Sequence, residues 1–218
     1  MNHMFMKNIS VKKCLRACLF TVPICFTASV FADDAGLLKA HLTGIESLHS
    51  EFSQKVTDVN NKNIQNGTGV FALAYPNQFY WHLTSPDESL IVADGKDVWI
   101  YNPFAEEVSV LDMAKAIEAS PMALLVHRDD ATWSQYNVTK SADCYNITPK
   151  AIDSGVSQVK VCFNGSTLSD FILEDEQGNV SQFTLSKQRI LTSTESTLFQ
   201  FAVPDGVDVD DQRQRAAK

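Results

Sequence analysis

Phe79-Tyr80-Trp81-His82-Leu83-Thr84-Ser85-Pro86-Asp87-Glu88 sets three consecutive aromatics ahead of a Ser-Pro-Asp turn. Side chains alternate on a strand, so Phe79 and Trp81 share one face and Tyr80 and His82 the other. The preceding run puts Phe71, Leu73 and Tyr75 on one side, and the following run, Asp97-Val98-Trp99-Ile100-Tyr101, adds two more large aromatics. Both faces of such a sheet cannot meet water. At least one needs a cover.

Working outward, turn signals recur about every ten residues: Asn66-Gly67, Pro76-Asn77, Ser85-Pro86-Asp87, Asp94-Gly95, Asn102-Pro103, Asn164-Gly165 and Gly178-Asn179. Short strands at that spacing without crossover helices predict an antiparallel meander, hence a barrel or sandwich. Upstream, Leu38, Leu42 and Ile45 recur at helical spacing behind Asp33-Asp34, predicting a helix over 34–45. The period then changes to two, with Leu48, Ser50, Phe52, Gln54 and Val56 on one side of a strand. One segment interrupts the strands. Asp112 to Arg128 reads as two short helices divided by Ser120-Pro121, with Ser120 as cap and Pro121 in the first turn. The second, Met122 to Val126, is apolar almost all round and too short to stand alone, so it must lie on the sheet. The polar tail Gln212 to Lys218 is expected to fray.

The first 32 residues read as a cleaved export signal. Lys7, Lys12, Lys13 and Arg16 precede an apolar run from Ala17 to Phe31, ending in Val30-Phe31-Ala32. Removing those four from 18 basic residues leaves 14 against 26 acids, a balance of −12. That excludes nucleic acid, whose phosphates demand clustered Lys and Arg, and argues against an anionic membrane surface. A basic protein partner is compatible with it. The remaining 33–218 suffices for one domain with a sizeable core. Of five cysteines, Cys144 and Cys162 survive. A hairpin closing at Asp153-Ser154-Gly155 would set them roughly opposite each other; spacing alone leaves a disulfide open. Two Cys fall short of the usual ligand count of a metal site.

Catalytic signatures are absent: no G-x-S-x-G, Walker A, G-x-G-x-x-G, H-E-x-x-H or C-x-x-C occurs. His41, His49, His82 and His127 read as structural, and the acid pairs Asp87-Glu88 and Asp210-Asp211 as strand-edge charges. The aromatics then have three readings: solid core, stacking platform for bases, or wall of an oily cavity. The acidic balance removes the second. The thin apolar helix after Pro121 favours the third over a fully packed sandwich.

The order Phe52-Ser53-Gln54, Pro76-Asn77, Phe79-x-Trp81, Pro86-Asp87-Glu88-Ser89, Asp94-Gly95-Lys96 and Trp99-x-Tyr101-Asn102-Pro103-Phe104 resembles the outer-membrane lipoprotein carrier family, LolA. The likeness resumes at Ser120-Pro121, Trp133-x-Gln135-Tyr136-Asn137, Thr148-Pro149-Lys150, Phe199-x-Phe201-x-x-Pro204-x-Gly206-Val207 and Val209-Asp210-Asp211-Gln212. The resemblance implies a mainly β fold: an incomplete, curved antiparallel barrel with a helical lid over an apolar cavity. It implies a monomeric, non-enzymatic periplasmic chaperone without cofactor. Such a carrier takes acylated lipoproteins from an inner-membrane lipoprotein-releasing ABC transporter and hands them to an outer-membrane receptor lipoprotein. On this view Leu42, Phe71, Leu73, Phe79, Trp81, Trp99, Met122, Leu124 and Leu125 line the acyl pocket, subject to strand register.

One position departs from the family pattern. Relatives usually carry, before the Pro of the Phe-x-Trp strand, an Arg thought to latch the lid through backbone carbonyls; here it is Tyr75. With one donor in place of five, Tyr75 implies a weaker or different latch, and Tyr75→Arg is expected to tighten closure. Other readings are a lipidated receptor of the same fold, which needs a Cys where Asp33 stands, an envelope-sensing domain, and a hydrolase, which lacks its nucleophile and base.

Overall fold

The computed structural model describes residues 33–119, 124–151 and 155–213. The export segment, Ser120-Pro121, Met122 and the Asp153-Ser154 turn lie outside the described residues. Among the described residues, twelve strands form one sheet: β1 (Ser47–Thr57), β2 (Asn63–Ala74), β3 (Gln78–Ser85), β4 (Ser89–Asp94), β5 (Asp97–Asn102), β6 (Glu107–Asp112), β7 (Tyr136–Ser141), β8 (Cys144–Pro149), β9 (Val156–Asn164), β10 (Thr167–Asp175), β11 (Val180–Arg189) and β12 (Asp208–Asp211). Their spatial order is β12-β6-β5-β4-β3-β2-β1-β11-β10-β9-β8-β7. Two meanders, β1 to β6 and β7 to β11, join where β1 pairs antiparallel with β11. Every pairing is antiparallel except β12 beside β6. The outer strands β7 and β12 do not pair, so the barrel stays incomplete. Register shifts in β1–β11, β2–β3 and β9–β10 bend it, as bulges do.

Register fixes the faces. Phe52, Gly69 and Leu83 stand side by side, as do Ser50, Phe71, Trp81 and Ile91, and Leu73, Phe79, Ala93 and Val98. On the other flank Phe183, Phe171, Val161 and Tyr145 continue the row. These residues form one apolar cluster on the concave side. Gly69 permits part of it, because a Cβ there would fall 2.4 Å from the Phe52 ring and 2.2 Å from the His82 carbonyl oxygen. Ser50, buried in the row, donates to the carbonyls of Glu51 and Ser186 at 2.8 and 2.7 Å, so its burial leaves no unmet hydroxyl.

Among the described residues three short α-helices accompany the sheet: α1 (Asp34–Thr43), α2 (Met113–Ala119) and α3 (Asp130–Trp133). The Asp33 carboxylate caps α1 by accepting from the Ala35 N–H, and Leu38 and Leu42 turn into the concave cluster. The helix expected over Met122 to Val126 is, in its described part, only a 3₁₀ turn at Leu124-Leu125. Such a short stretch cannot hold itself as an α-helix, and its apolar contact decides its shape. Cys144 and Cys162 pair in register on β8 and β9 and form a disulfide, with S–S 2.08 Å.

The tail departs from expectation. Gln212 and Arg213 do not fray: the Gln212 N–H donates to the Val110 carbonyl at 2.9 Å, and Arg213 reaches Asp97 at 2.7 Å. The stretch from a 3₁₀ helix at Ser193–Phe199 to Arg213 crosses the convex side of β3 to β6 as a strap. The aromatic stretch at 79–101 is therefore covered on both sides, not one.

Candidate functional site

The concave cluster centres on Phe71. Phe79, Trp81 and Phe171 surround its ring edge-on at centroid distances of 5.5, 5.8 and 5.4 Å. Trp81 stacks on Phe52 at 4.2 Å and meets Phe183 edge-on at 4.6 Å. Leu38 and Leu42 of α1 cover one part of this surface, and Leu124, Leu125 and Val126 are buried in the same cluster. Rings in offset and edge-on contact leave an oily wall with few polar commitments. Leu42, Phe71, Leu73, Phe79, Trp81, Leu124 and Leu125 thus belong to one apolar assembly; Met122 lies outside the described residues.

Trp99 does not belong to it. In register it stands beside Val92, which faces Tyr80, so it points to the convex side. There it stacks on Phe201 at 5.6 Å, and its indole N–H donates to Asp94 at 3.1 Å. The expectation that Trp99 lines a pocket with Trp81 is corrected by that phase: the turns between β3, β4 and β5 set the two indoles on opposite faces.

The cover over Phe71 is footed at residues 126–128. The Asn77 N–H donates to the Val126 carbonyl at 3.2 Å, and His127 Nδ1 lies 2.9 Å from Asn77 Oδ1. His127 Nε2 meets the carboxylate of Asp129, which also caps α3 through the Thr132 N–H, and the Trp133 indole donates to the His127 carbonyl at 2.8 Å. Arg128 completes the foot. Its guanidinium lies 4.2 Å from the Tyr75 ring centroid and donates to the Ile45 carbonyl at 2.8 Å. Burial draws the Arg128 pKa below its ordinary value, with Tyr75 and Glu46 opposing. A cation over a ring in such a setting contributes about 1 kcal/mol.

The sequence singled out Tyr75 but not Arg128, whose guanidinium lies over the tyrosine ring. Tyr75 packs against a cation supplied from the cover's side, at the position where the family resemblance led to the expectation of a cation on the sheet. This reverses the expected effect of Tyr75→Arg, which would set two guanidinium groups against each other. The Arg in Val126-His127-Arg128 was a visible signal, but only the fold brings it to Tyr75.

Among the described residues, no group of three or more His, Cys, Asp or Glu could hold a metal, and no helix is long and apolar enough to cross a membrane. A half-open curved sheet with a helix-covered oily concave face defines an apolar-ligand or carrier class of fold. The sequence profile described as "Outer membrane lipoprotein carrier protein LolA" matches residues 43–202. The chain belongs to this family. An outer-membrane lipoprotein carrier protein of Shewanella baltica is 63% identical over 207 residues, covering 95% of this chain and all of that one. Its counterpart in Shewanella woodyi is 61% identical, covering 94% and 99%. The crystal structure of a LolA superfamily protein from Nitrosomonas europaea shares 12% identity, covers 76% of this chain and 97% of that one, and gives a TM-score of 0.46.

Proposed function

We propose that the chain carries acylated lipoproteins across the periplasm after its first 32 residues are removed. It takes cargo from an inner-membrane lipoprotein-releasing ABC transporter and gives it to an outer-membrane receptor lipoprotein, acting as a monomer and without catalysis. The observation that carries this reading is the aromatic concave face around Phe71, closed by Leu124, Leu125 and Val126 in a chain of this family.

The energetics favour a cover that moves. Burying the methylenes of one sixteen-carbon acyl chain gains about 11 kcal/mol at roughly 0.8 kcal/mol each. Two or three such chains would exceed any gap a reversible carrier tolerates. Opening a cover that is itself apolar offsets part of that gain and sets an intermediate affinity. Leu42, Phe71, Leu73, Phe79 and Trp81 then receive the chain, and Leu124 and Leu125 give up their contacts to it. Energy to leave the bilayer comes from the donor.

Purified chain 33–218 added to spheroplasts tests the reading. The expected result is an acylated lipoprotein in the supernatant, and none with a variant carrying Phe71→Glu. Failure of the wild type to release any lipoprotein overturns it.

A further inference from the structure

Phe104 is 95% exposed, the most exposed large apolar side chain among the described residues. It stands at the tip of the β5–β6 hairpin. Single exposed apolar side chains are ordinary. One set at the tip of an ordered turn is less so. The Asn102 side chain accepts from the N–H groups of Phe104 and Ala105 at 3.0 and 3.1 Å, Pro103 fixes its own φ, and Glu106 closes the turn at φ 52° while donating to the Pro103 carbonyl at 3.3 Å. The backbone that carries the ring is thus ordered before any partner arrives, so binding has only the side chain left to fix.

Charge near this tip is of one sign. Glu106 and Glu107 follow the turn, and β12 sets Asp208 beside Glu107 and Asp210 beside Ser109. Neither 97–112 nor 199–212 contains a Lys or Arg. Arg213, just beyond, is committed to Asp97 and Asp211. Acids along an edge strand ordinarily discourage strand addition. They do not account for a bare aromatic on an ordered turn at the end of that edge. The strand directions also matter. Hairpins of a meander alternate ends, so the β5–β6 tip lies at the end of the sheet opposite the β2–β3 turn that holds Tyr75 and the foot of the cover. A partner held there leaves the cover free.

We propose that Phe104 is a docking knob. It enters an apolar recess on a protein partner whose rim of Lys and Arg faces Glu106, Glu107 and Asp208. The partner is a protein and not a bilayer, because a leaflet of anionic lipid repels the acids that flank the ring. Complementary charge steers the encounter, and a buried aromatic anchor supplies the lifetime. The inference rests on the carrier reading, which gives the chain two membrane-bound partners.

The test measures binding of the mature chain to the purified transporter in nanodiscs, to the purified receptor lipoprotein, and to bare phosphatidylglycerol vesicles. Phe104→Ser and the pair Glu107→Lys with Asp208→Lys are each expected to weaken binding to at least one of the two proteins tenfold or more. Phe104→Trp restores it, and added salt weakens the wild type. Uptake of a fluorescent acylated peptide stays unchanged in all variants, which also shows that they fold. Equal binding of wild type and variants to both proteins, or no wild-type binding to either, overturns the docking knob. So does a Phe104→Ser loss that appears equally on bare vesicles. Failure of the wild type to take up acylated peptide would instead remove the carrier reading.

Discussion

Phe199 on the convex side and Leu125 on the concave side are buried to the same degree, at 2% and 1% exposure, yet the chain around each is held differently. The convex strap is fixed at both ends. At its start Thr192 and Glu195 form a reciprocal cap, and Arg189 grips Glu195 through two hydrogen bonds of 2.7 and 2.6 Å. At its finish β12 pairs with β6, and Arg213 joins the buried Asp97 while lying over Trp99 at 5.4 Å. Among the described residues the concave cover has no strand pairing. Leu124 and Leu125 are buried in the apolar cluster, and the polar ties described gather at 126–128. Removing the strap means breaking strand pairing and stranding a buried carboxylate. Displacing the cover means exchanging one apolar contact for another, which an acyl chain can supply.

The sharpest way to break that comparison is to cut a hole in each. Phe199→Ala should lower global stability by about 3–5 kcal/mol, the cost of a cavity in a part that cannot relax. Denaturant unfolding measures it. Leu125→Ala should cost less than about 2 kcal/mol globally, because the cover opens locally instead of keeping a void. Its effect should show as faster amide exchange confined to residues 124–126 and tighter binding of a hydrophobic probe. Equal global losses for the two variants would mean that the covers do not differ in kind.

The foot of the cover gives a smaller effect. A double-mutant cycle on Tyr75→Ala and Arg128→Ala should return a coupling of about 1 kcal/mol. Tyr75→Arg should speed exchange at 124–126, and combining it with Arg128→Ala should slow exchange again. Slower exchange in Tyr75→Arg alone would restore the original expectation of a tighter latch.

These contacts mark where the sequence was readable and where it was not. The two-residue period of Leu48 to Val56, the helical spacing of Leu38 and Leu42, and most turn pairs at ten-residue intervals are local and gave the right element. Asn66-Gly67 did not: it lies inside β2, paired with Lys55 and Gln54, and the chain turns at 58–62 instead. One hairpin set Cys144 opposite Cys162 but left the bond between them open, and the structure closes it. The shared face of Phe71, Phe79 and Trp81 was legible because those strands are neighbours in sequence and space. Trp99 was not: its face depends on the phase carried through two turns, and one residue of slip reverses it. Arg128 meets Tyr75 across 53 positions, and Arg213 meets Asp97 across 116, without any periodic trace. The motif Phe199-x-Phe201 was visible as a family mark, but nothing local says which face of a distant sheet it covers.

The smallest expected effect separates the covers by pH. His49 points to the convex side, 3.9 Å from Glu195 at the start of the strap and in register with Arg189. Burial lowers its pKa from 6.5, Arg189 lowers it further, and Glu195 and Glu51 pull it back only in part. Arg189 meanwhile holds Glu195 well below the usual carboxylate range, so that acid stays ionised throughout the window. The folded state therefore keeps His49 neutral more readily than the unfolded chain does. Stability from this group is fully present above about pH 6.5, where both states are neutral. It declines as pH falls, because the unfolded state takes the proton first, and the loss is complete below the folded pKa. Denaturant unfolding at pH 7.5 and pH 5, taken as the wild type minus His49→Gln so that other histidines cancel, should show a loss of stability on acidification. Amide exchange at 124–126 in that difference should stay unchanged, since His49 touches the strap and not the cover. A difference that appears in the cover instead would show that the two faces are coupled through β1, and the separation drawn between them would fail.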